Sequence, residues 1–268
     1  MPGEIDYQAE YDNRARVPDH PAVMARWRET ADAARAAHPP CRLTYGDRPR
    51  EVIDLFEAQE GAPLAVFLHG GYWQALDGGW FAGLAPALLA HGVSLAIPTY
   101  DLAPEVRLGG ILAQIRRAAD LARALNHGRR PLVFGHSAGG HMAACLLSEG
   151  RASAAMAISG VFDLSPLLRT RLNEALRLDP LEAAALSPLH WPAPNGGAPG
   201  GTVLDCVVGG AESGEFIRQT QAMAEAWGRR GAETRSRVLS GLNHFTVLDP
   251  LFDADSDLVR RLVELTEG

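Results

Sequence analysis

The stretch P-L-V-F-G-H-S-A-G-G-H-M, Pro131 to Met142, runs from an apolar segment into a helical one through a turn that holds one hydroxyl among glycines. Only a sharp turn or a close backbone approach demands residues without a β-carbon, so the glycines, more than the serine, are the signal. Gly135-His136-Ser137-Ala138-Gly139 fits G-x-S-x-G, with the β-type run Leu132 to His136 before it and the helical run Met142, Ala143, Leu146, Leu147 after it. A strand, turn and helix in that order lift a serine hydroxyl clear of a sheet and aim a helix N-terminus at negative charge developing beside it.

Outward from this turn the chain alternates. Short β-type runs occupy Leu43 to Tyr45, Val52 to Phe56, Leu64 to His69, Val93 to Tyr100, Ala154 to Ser159, Val203 to Val208 and Arg235 to Leu239. Helical patterns separate them, the clearest over Leu108 to Leu125, where Ile111, Ile115, Ala118, Ala122 and Leu125 step by three or four. Strands alternating with helices imply an α/β fold with a mostly parallel sheet covered on both faces. The first 40 residues read as an accessory helical segment, with Val23, Trp27, Ala31 and Ala34 on one face and Pro39-Pro40 ending it. Residues 163–201 break the alternation: a helical pattern on Leu164, Leu167, Leu168, Leu172 and Leu176 leads into a Pro- and Gly-rich stretch, which predicts a cap-like excursion and a loop.

A chain of 268 residues with 47% hydrophobic content can bury a sizeable core, and one domain over 1–268 is expected. The net charge of −7 and the absence of a basic cluster argue against a nucleic-acid partner. Cys41, Cys145 and Cys206 lack the spacing of a zinc site or disulfide framework, so free thiols and no metal are expected. The start M-P-G-E-I-D-Y is polar and acidic where a signal peptide carries basic and then apolar residues, and no run is long enough to span a membrane. The expectation is a cytoplasmic protein with no membrane partner.

A serine hydroxyl is a weak nucleophile near neutral pH and needs a base that is itself oriented by an acid. In this strand-turn-helix context the chain order is Ser, acid, His. Of the nine histidines, His244 in G-L-N-H-F follows the last β-run and alone lies downstream of Glu212 and Asp205. His20, His38, His91 and His127 fall at helix ends or loops, where exposure is expected. Glu212 follows the run Val203 to Val208 through G-G-A, which sets a carboxylate at a strand's C-terminal edge. Asp205, inside that run, and Asp249, five residues after His244, are the competing acids. H-G-G-Y-W, His69 to Trp73, ends the run from Leu64, and its glycines let backbone N–H groups approach a substrate oxygen. Gly70, Gly71 and Ala138 are therefore the expected oxyanion donors.

These motifs resemble the α/β-hydrolase fold, and H-G-G together with Y-D-L-A-P-E (Tyr100 to Glu105) resembles its hormone-sensitive-lipase-like esterase branch. The acid of that branch is most often Asp, whereas Glu212 stands here. E-Y-D-N-R-A-R-V-P-D, H-G-G-Y-W and G-A-E-S-G-E-F are similar more specifically to bacterial arylformamidases, the kynurenine formamidase group. The resemblance implies hydrolysis of N-formylkynurenine to formate and kynurenine through a formyl-enzyme intermediate, with no cofactor. Tyr72, Trp73, Phe162, Trp191, Phe216 and Phe245 are candidates for an aryl-binding wall, and Arg169 and Arg171 for holding a substrate carboxylate. A carboxylesterase on small acyl or aryl esters would use the same residues in the same roles, and an acyltransferase or a non-catalytic ligand-binding protein could share the fold. A homodimer paired through surface helices is compatible with such a sheet, although no residues name its interface.

Overall fold

A computed structural model describes residues 4–194 and 202–267. Eight strands form one sheet: β1 (Cys41–Thr44), β2 (Val52–Phe56), β3 (Leu64–Leu68), β4 (Ser94–Thr99), β5 (Leu132–His136), β6 (Ala155–Ile158), β7 (Val203–Gly209) and β8 (Glu233–Leu239). Their order is β1-β2-β4-β3-β5-β6-β7-β8. The first two strands pair antiparallel with each other and with β4, and every later pairing is parallel. Each β-type run of the sequence is a strand, two with identical ends and the others with ends shifted by one or two residues.

The central strands are apolar on both faces because both are covered. Leu64, Val66 and Leu68 of β3 pack with Val133 of β5 against one helical layer, Leu108–Leu125, Ala138–Ser148 and Gly214–Arg229. Ala65 and Phe67, with Leu132 and Phe134, face the other layer, built from His20–Ala37, Gly78–Leu84, Ala85–Leu89 and Asp257–Glu267. The period of two along a strand thus divides one sequence run between two cores. In the helix His20–Ala37 the buried positions are the expected Val23, Trp27, Ala31 and Ala34.

Residues 163–194 differ from the expected pattern. No single helix spans the leucines; the segment is a chain of short turns, Ser165–Arg169, Asn173–Leu176, Pro180–Ala185 and Pro188–His190. Proline lacks an N–H and tends to start a helix rather than continue one. Pro166, Pro180 and Pro188 each sit at the first or second position of a turn, and Arg177 leaves the second one in a left-handed conformation, φ 54°. Leu164, Leu167 and Leu176 are nevertheless buried, so their spacing serves packing into the core. The end of the predicted excursion, 195–201, lies outside the described residues.

Register places the site. Leu68 pairs with Gly135, Ile158 with Val207 and Gly209 with Leu239, so the loops after β3, β5, β7 and β8 open at one edge of the sheet. Ligands of open parallel sheets bind at that C-terminal edge.

Candidate active site

Ser137 links β5 to the helix Ala138–Ser148 with φ 56° and ψ −115°, a conformation rare for a residue with a side chain. Its N–H donates to Ile158 O at 2.8 Å, which ties the turn to β6. The flanking glycines are sterically required. A β-carbon on Gly139 would lie 1.8 Å from Leu68 O, and one on Gly135 would lie 2.4 Å from the Gly139 carbonyl. The strand, the helix and the neighbouring β3 converge there more closely than alanines permit.

His244 and Glu212 meet at this edge. The His244 Nδ1–H donates to Glu212 Oε2 at 2.6 Å, and both side chains are buried. Glu212 Oε1 accepts from Ser159 Oγ at 2.6 Å and from the Gly209 N–H at 2.7 Å. Glu212 thus accepts three hydrogen bonds, which fix its orientation towards His244. With Nδ1 bonded to Glu212, Nε2 is the ring nitrogen left without a hydrogen bond among the described residues. His136 Nε2–H donates to His244 O at 2.8 Å, and Phe216 packs against the His244 ring at 4.5 Å. Burial, with His244 adding to it, pushes His136 well below the ordinary histidine range, so this donor stays neutral. The competing acids are engaged elsewhere: Asp205 pairs with Arg261 at 2.7 Å, and Asp249 faces Arg26 at 3.4 Å.

The loop after β3 lies directly on the elbow, since a β-carbon on Gly70 would meet His136 O at 2.9 Å and Ser137 Cβ at 3.1 Å. Gly71 has φ 105°, and Tyr72 and Trp73 have φ 50° and 57°. The backbone N–H groups of Gly70, Gly71 and Ala138 donate to no protein acceptor among the described residues. Buried N–H groups are rarely left so. The loop is held from behind: His69 Nδ1–H donates to Gly70 O at 2.8 Å, and the ring stacks on Tyr100 at 4.1 Å. Tyr100 Oη donates to His69 O at 2.8 Å, and the Ala103 N–H donates to Trp73 O at 2.7 Å. This bracing is the structural use of the Y-D-L-A-P-E stretch. Burial lowers His69 to about 4, so it too is neutral near pH 7.

Ser137, His136 and His244 line a cavity of about 490 Å³. Its outer wall is the segment before the first long helix, part of the region expected to be accessory. Gln8, Tyr11, Asp12, Asn13 and Arg14 line it, joined by Met24 and Trp27. Asp6 and Asp12 accept N–H bonds that cap the short helices Tyr7–Tyr11 and Asn13–Arg16. Asn13 is 6% exposed and donates through Nδ2 to Tyr72 Oη at 3.0 Å, while Tyr72 Oη donates to Tyr11 O at 2.8 Å. Tyr11 Oη in turn bonds Glu215 at 3.1 Å. The available signal was the polar run Asp12-Asn13-Arg14 ahead of an amphipathic helix, too short to carry a period.

Of the aromatic residues expected as a wall, Tyr72 and Phe245 line the cavity and the other four do not. Trp73 is fully buried edge-on to His141 at 5.0 Å, Phe162 belongs to the core, and Phe216 lies behind His244. Trp191 Nε1 donates to Ala185 O at 2.8 Å within its own loop. Trp73, Phe162 and Phe216 sit beside motifs in sequence yet point into the protein, where large apolar surface is best buried. Arg171 lines the cavity, whereas Arg169 pairs with Glu4 and lies over Tyr7. His20, expected exposed, is partly buried and stacks on Phe245 at 5.2 Å.

A family model described as alpha/beta hydrolase fold matches residues 65–191. The chain is 27% identical to a kynurenine formamidase of Danio rerio over 235 residues, 83% of this chain and 80% of that one. It is also 27% identical to the kynurenine formamidase of Drosophila melanogaster over 238 residues, 82% of this chain and 79% of that one. A crystal structure from Silicibacter sp. TM1040, described as a candidate thioesterase, superposes with a TM-score of 0.83 at 33% identity, covering 99% of this chain and 100% of that one. Among the described residues, no helix is long and apolar enough to cross a membrane.

Proposed function

From the premise that the chain belongs to the α/β-hydrolase fold family and is a hydrolase, we propose that it is an arylformamidase that cleaves N-formyl-L-kynurenine with Ser137 as nucleophile, His244 as base and Glu212 as acid. The observation that carries the serine-hydrolase reading is the 2.6 Å bond from His244 Nδ1 to Glu212, in a cavity that His244 shares with Ser137 on its strained turn. Similarity to the two kynurenine formamidases supports the substrate.

Ser137 Oγ attacks the formyl carbon while its proton passes to His244 Nε2, and Glu212 stabilises the imidazolium that forms. The N–H groups of Gly70, Gly71 and Ala138 receive the oxyanion. Collapse breaks the C–N bond, and the departing aryl amine takes the proton from His244. A water then attacks the formyl ester, giving its proton to His244 and a hydroxyl to the carbonyl carbon. Breakdown returns the proton to Ser137 and releases formic acid, which ionises to formate in solution. An aryl amine leaves more readily than an alkyl amine, so the parts that serve ester hydrolysis suffice.

A second reading, hydrolysis of acyl esters or thioesters by the same residues, is favoured by the full-length likeness to the Silicibacter protein. The test is kcat/KM for N-formyl-L-kynurenine beside p-nitrophenyl acetate and a short acyl thioester, with Ser137→Ala as blank. Preference for the formamide by about 100-fold or more, roughly 2.7 kcal/mol of differential transition-state binding, supports the first reading. Preference for an ester or thioester selects the second.

A further inference from the structure

Arg14 and Arg171 line the cavity, are exposed, and donate through their guanidinium groups to no acceptor among the described residues. That sets them apart from Arg169 nearby, whose guanidinium pairs with Glu4. Their backbones, by contrast, are pinned. Arg14 follows Asn13, which is bonded to Tyr72 of the oxyanion loop. The Arg171 N–H donates to Gln8 Oε1 at 2.8 Å, and the next carbonyl, Leu172 O, accepts from Gln74 Nε2 at 3.0 Å. Both positions are thus tied to the loop beside Ser137, while both charged ends remain unused.

The sequence has an excess of acidic residues, net −7, and Arg is its only strongly basic residue type. Two arginines without carboxylate partners at one cavity are therefore an oriented positive site in an otherwise acidic molecule. The planar guanidinium fork matches a carboxylate in two parallel hydrogen bonds. One other charged side chain lines the cavity, Asp12, whose Oδ1 accepts the Ala15 N–H and whose Oδ2 makes no bond among the described residues.

We infer that Arg14 and Arg171 form a carboxylate subsite for a substrate whose leaving group carries an α-amino-acid head, with Asp12 facing the ammonium of that head. The inference rests on the formamidase reading for which end of the substrate reaches the subsite. It assigns specificity to residues that take no part in the bond-breaking steps.

The test compares L-kynurenine with kynurenamine, which lacks only the carboxylate, as inhibitors of p-nitrophenyl acetate hydrolysis, with calorimetric Kd values for both as a readout free of turnover. L-Kynurenine is expected to bind wild type about 10- to 100-fold more tightly, as charge-assisted carboxylate pairs allow. Arg14→Ala with Arg171→Ala brings that ratio to about one. Arg169→Ala keeps it. For N-formyl-L-kynurenine the double variant raises KM far more than it lowers kcat. A wild-type ratio near one, a ratio that survives in the double variant, or no binding of either ligand overturns the subsite. A ratio that is present and lost as described, in a protein that does not cleave N-formyl-L-kynurenine, keeps the subsite and rejects the formamidase reading. Cleavage of N-formyl-L-kynurenine with a ratio near one does the reverse.

Discussion

The two walls of the cavity are built by different means. On the sheet side, Ser137, Gly70, Gly71, Glu212 and His244 sit on short loops whose positions follow from strand register and from contacts too close for a β-carbon. On the outer side, residues 7–16 form two short helices, held by the hydroxyls and amides of Tyr11, Asn13, Tyr72 and Gln8. Reaction chemistry needs atoms fixed to a fraction of an ångström, which a sheet edge supplies. Choice among substrates needs a surface that can vary, and a hydrogen-bonded strap allows that without disturbing the elbow.

The comparison breaks first at Ser137. Ser137→Ala is expected to lower kcat/KM for p-nitrophenyl acetate by about 10⁴-fold or more with the melting temperature little changed, since one hydroxyl is removed from a turn that alanine tolerates as well as serine does. His244→Ala is expected to remove most of the activity while the protein stays folded. Glu212→Gln keeps the side-chain volume but exchanges a three-fold acceptor for a group that must also donate, and a loss of about 10²- to 10⁴-fold in kcat is expected. Asp249→Ala is expected to stay within about 3-fold, as for a surface ion pair. If Asp249→Ala were the more damaging change, the acid would be misassigned and the sheet-side account would fail with it.

The unequal legibility of the two walls has a physical cause. Ser137, Glu212 and His244 could be placed at one edge from the sequence because each follows a strand of the parallel part of the sheet. Gly139 could be read because its lack of a side chain is a steric demand of the fold. The eight strands were legible for the same reason, as a period of two or an apolar run flanked by turns. Tyr11 and Asn13 could not be read: their partners, Glu215 and Tyr72, lie 204 and 59 residues away, and pairings at that separation leave no local pattern. Trp73, Phe162 and Phe216 were misplaced because proximity to a motif fixes a residue's backbone and not the direction of its side chain. The leucines of 164–176 had a helical period, but prolines and a left-handed residue broke it into turns.

Acid should attack the sheet side. Burial lowers His69 and His141 to about 4 and pushes His136 well below its usual range, and His141 Nε2 donates to Leu186 O at 2.7 Å. Each is depressed in the folded state, so the unfolded chain takes up protons first as pH falls. Stability is full above the unfolded value near 6.5 and declines on going down to about 4, where the folded rings of His69 and His141 also titrate. The slope is about 1.4 kcal/mol per pH unit for each histidine once fully in that window. Urea unfolding at pH 7.5, 6.0 and 5.0 should show it, and His141→Gln, which can still donate to Leu186 O, should reduce the slope by about one proton. An unchanged slope would mean that His141 is not neutral in the folded protein.

The smallest effect is the one that isolates the outer wall. Tyr11→Phe removes the hydroxyl that bonds Glu215 and receives Gln219, and Tyr72→Phe removes the bonds to Asn13 and to Tyr11 O. Each should cost at least about 1 kcal/mol, the low end for buried groups that lose a partner, because Glu215, Gln219 and Asn13 are all buried. If residues 7–16 open as a unit separate from the sheet, the cost appears there alone: amide exchange over that segment rises about 5-fold per variant, while exchange in β3 and β5 does not change. Should exchange rise in the strands by the same factor, the strap and the sheet unfold together and the division of labour between the two walls is not one of stability. Should neither rise, the hydroxyls hold the wall less than its apolar contacts do, and Tyr11 packing on Phe216 at 5.6 Å becomes the contact to remove next.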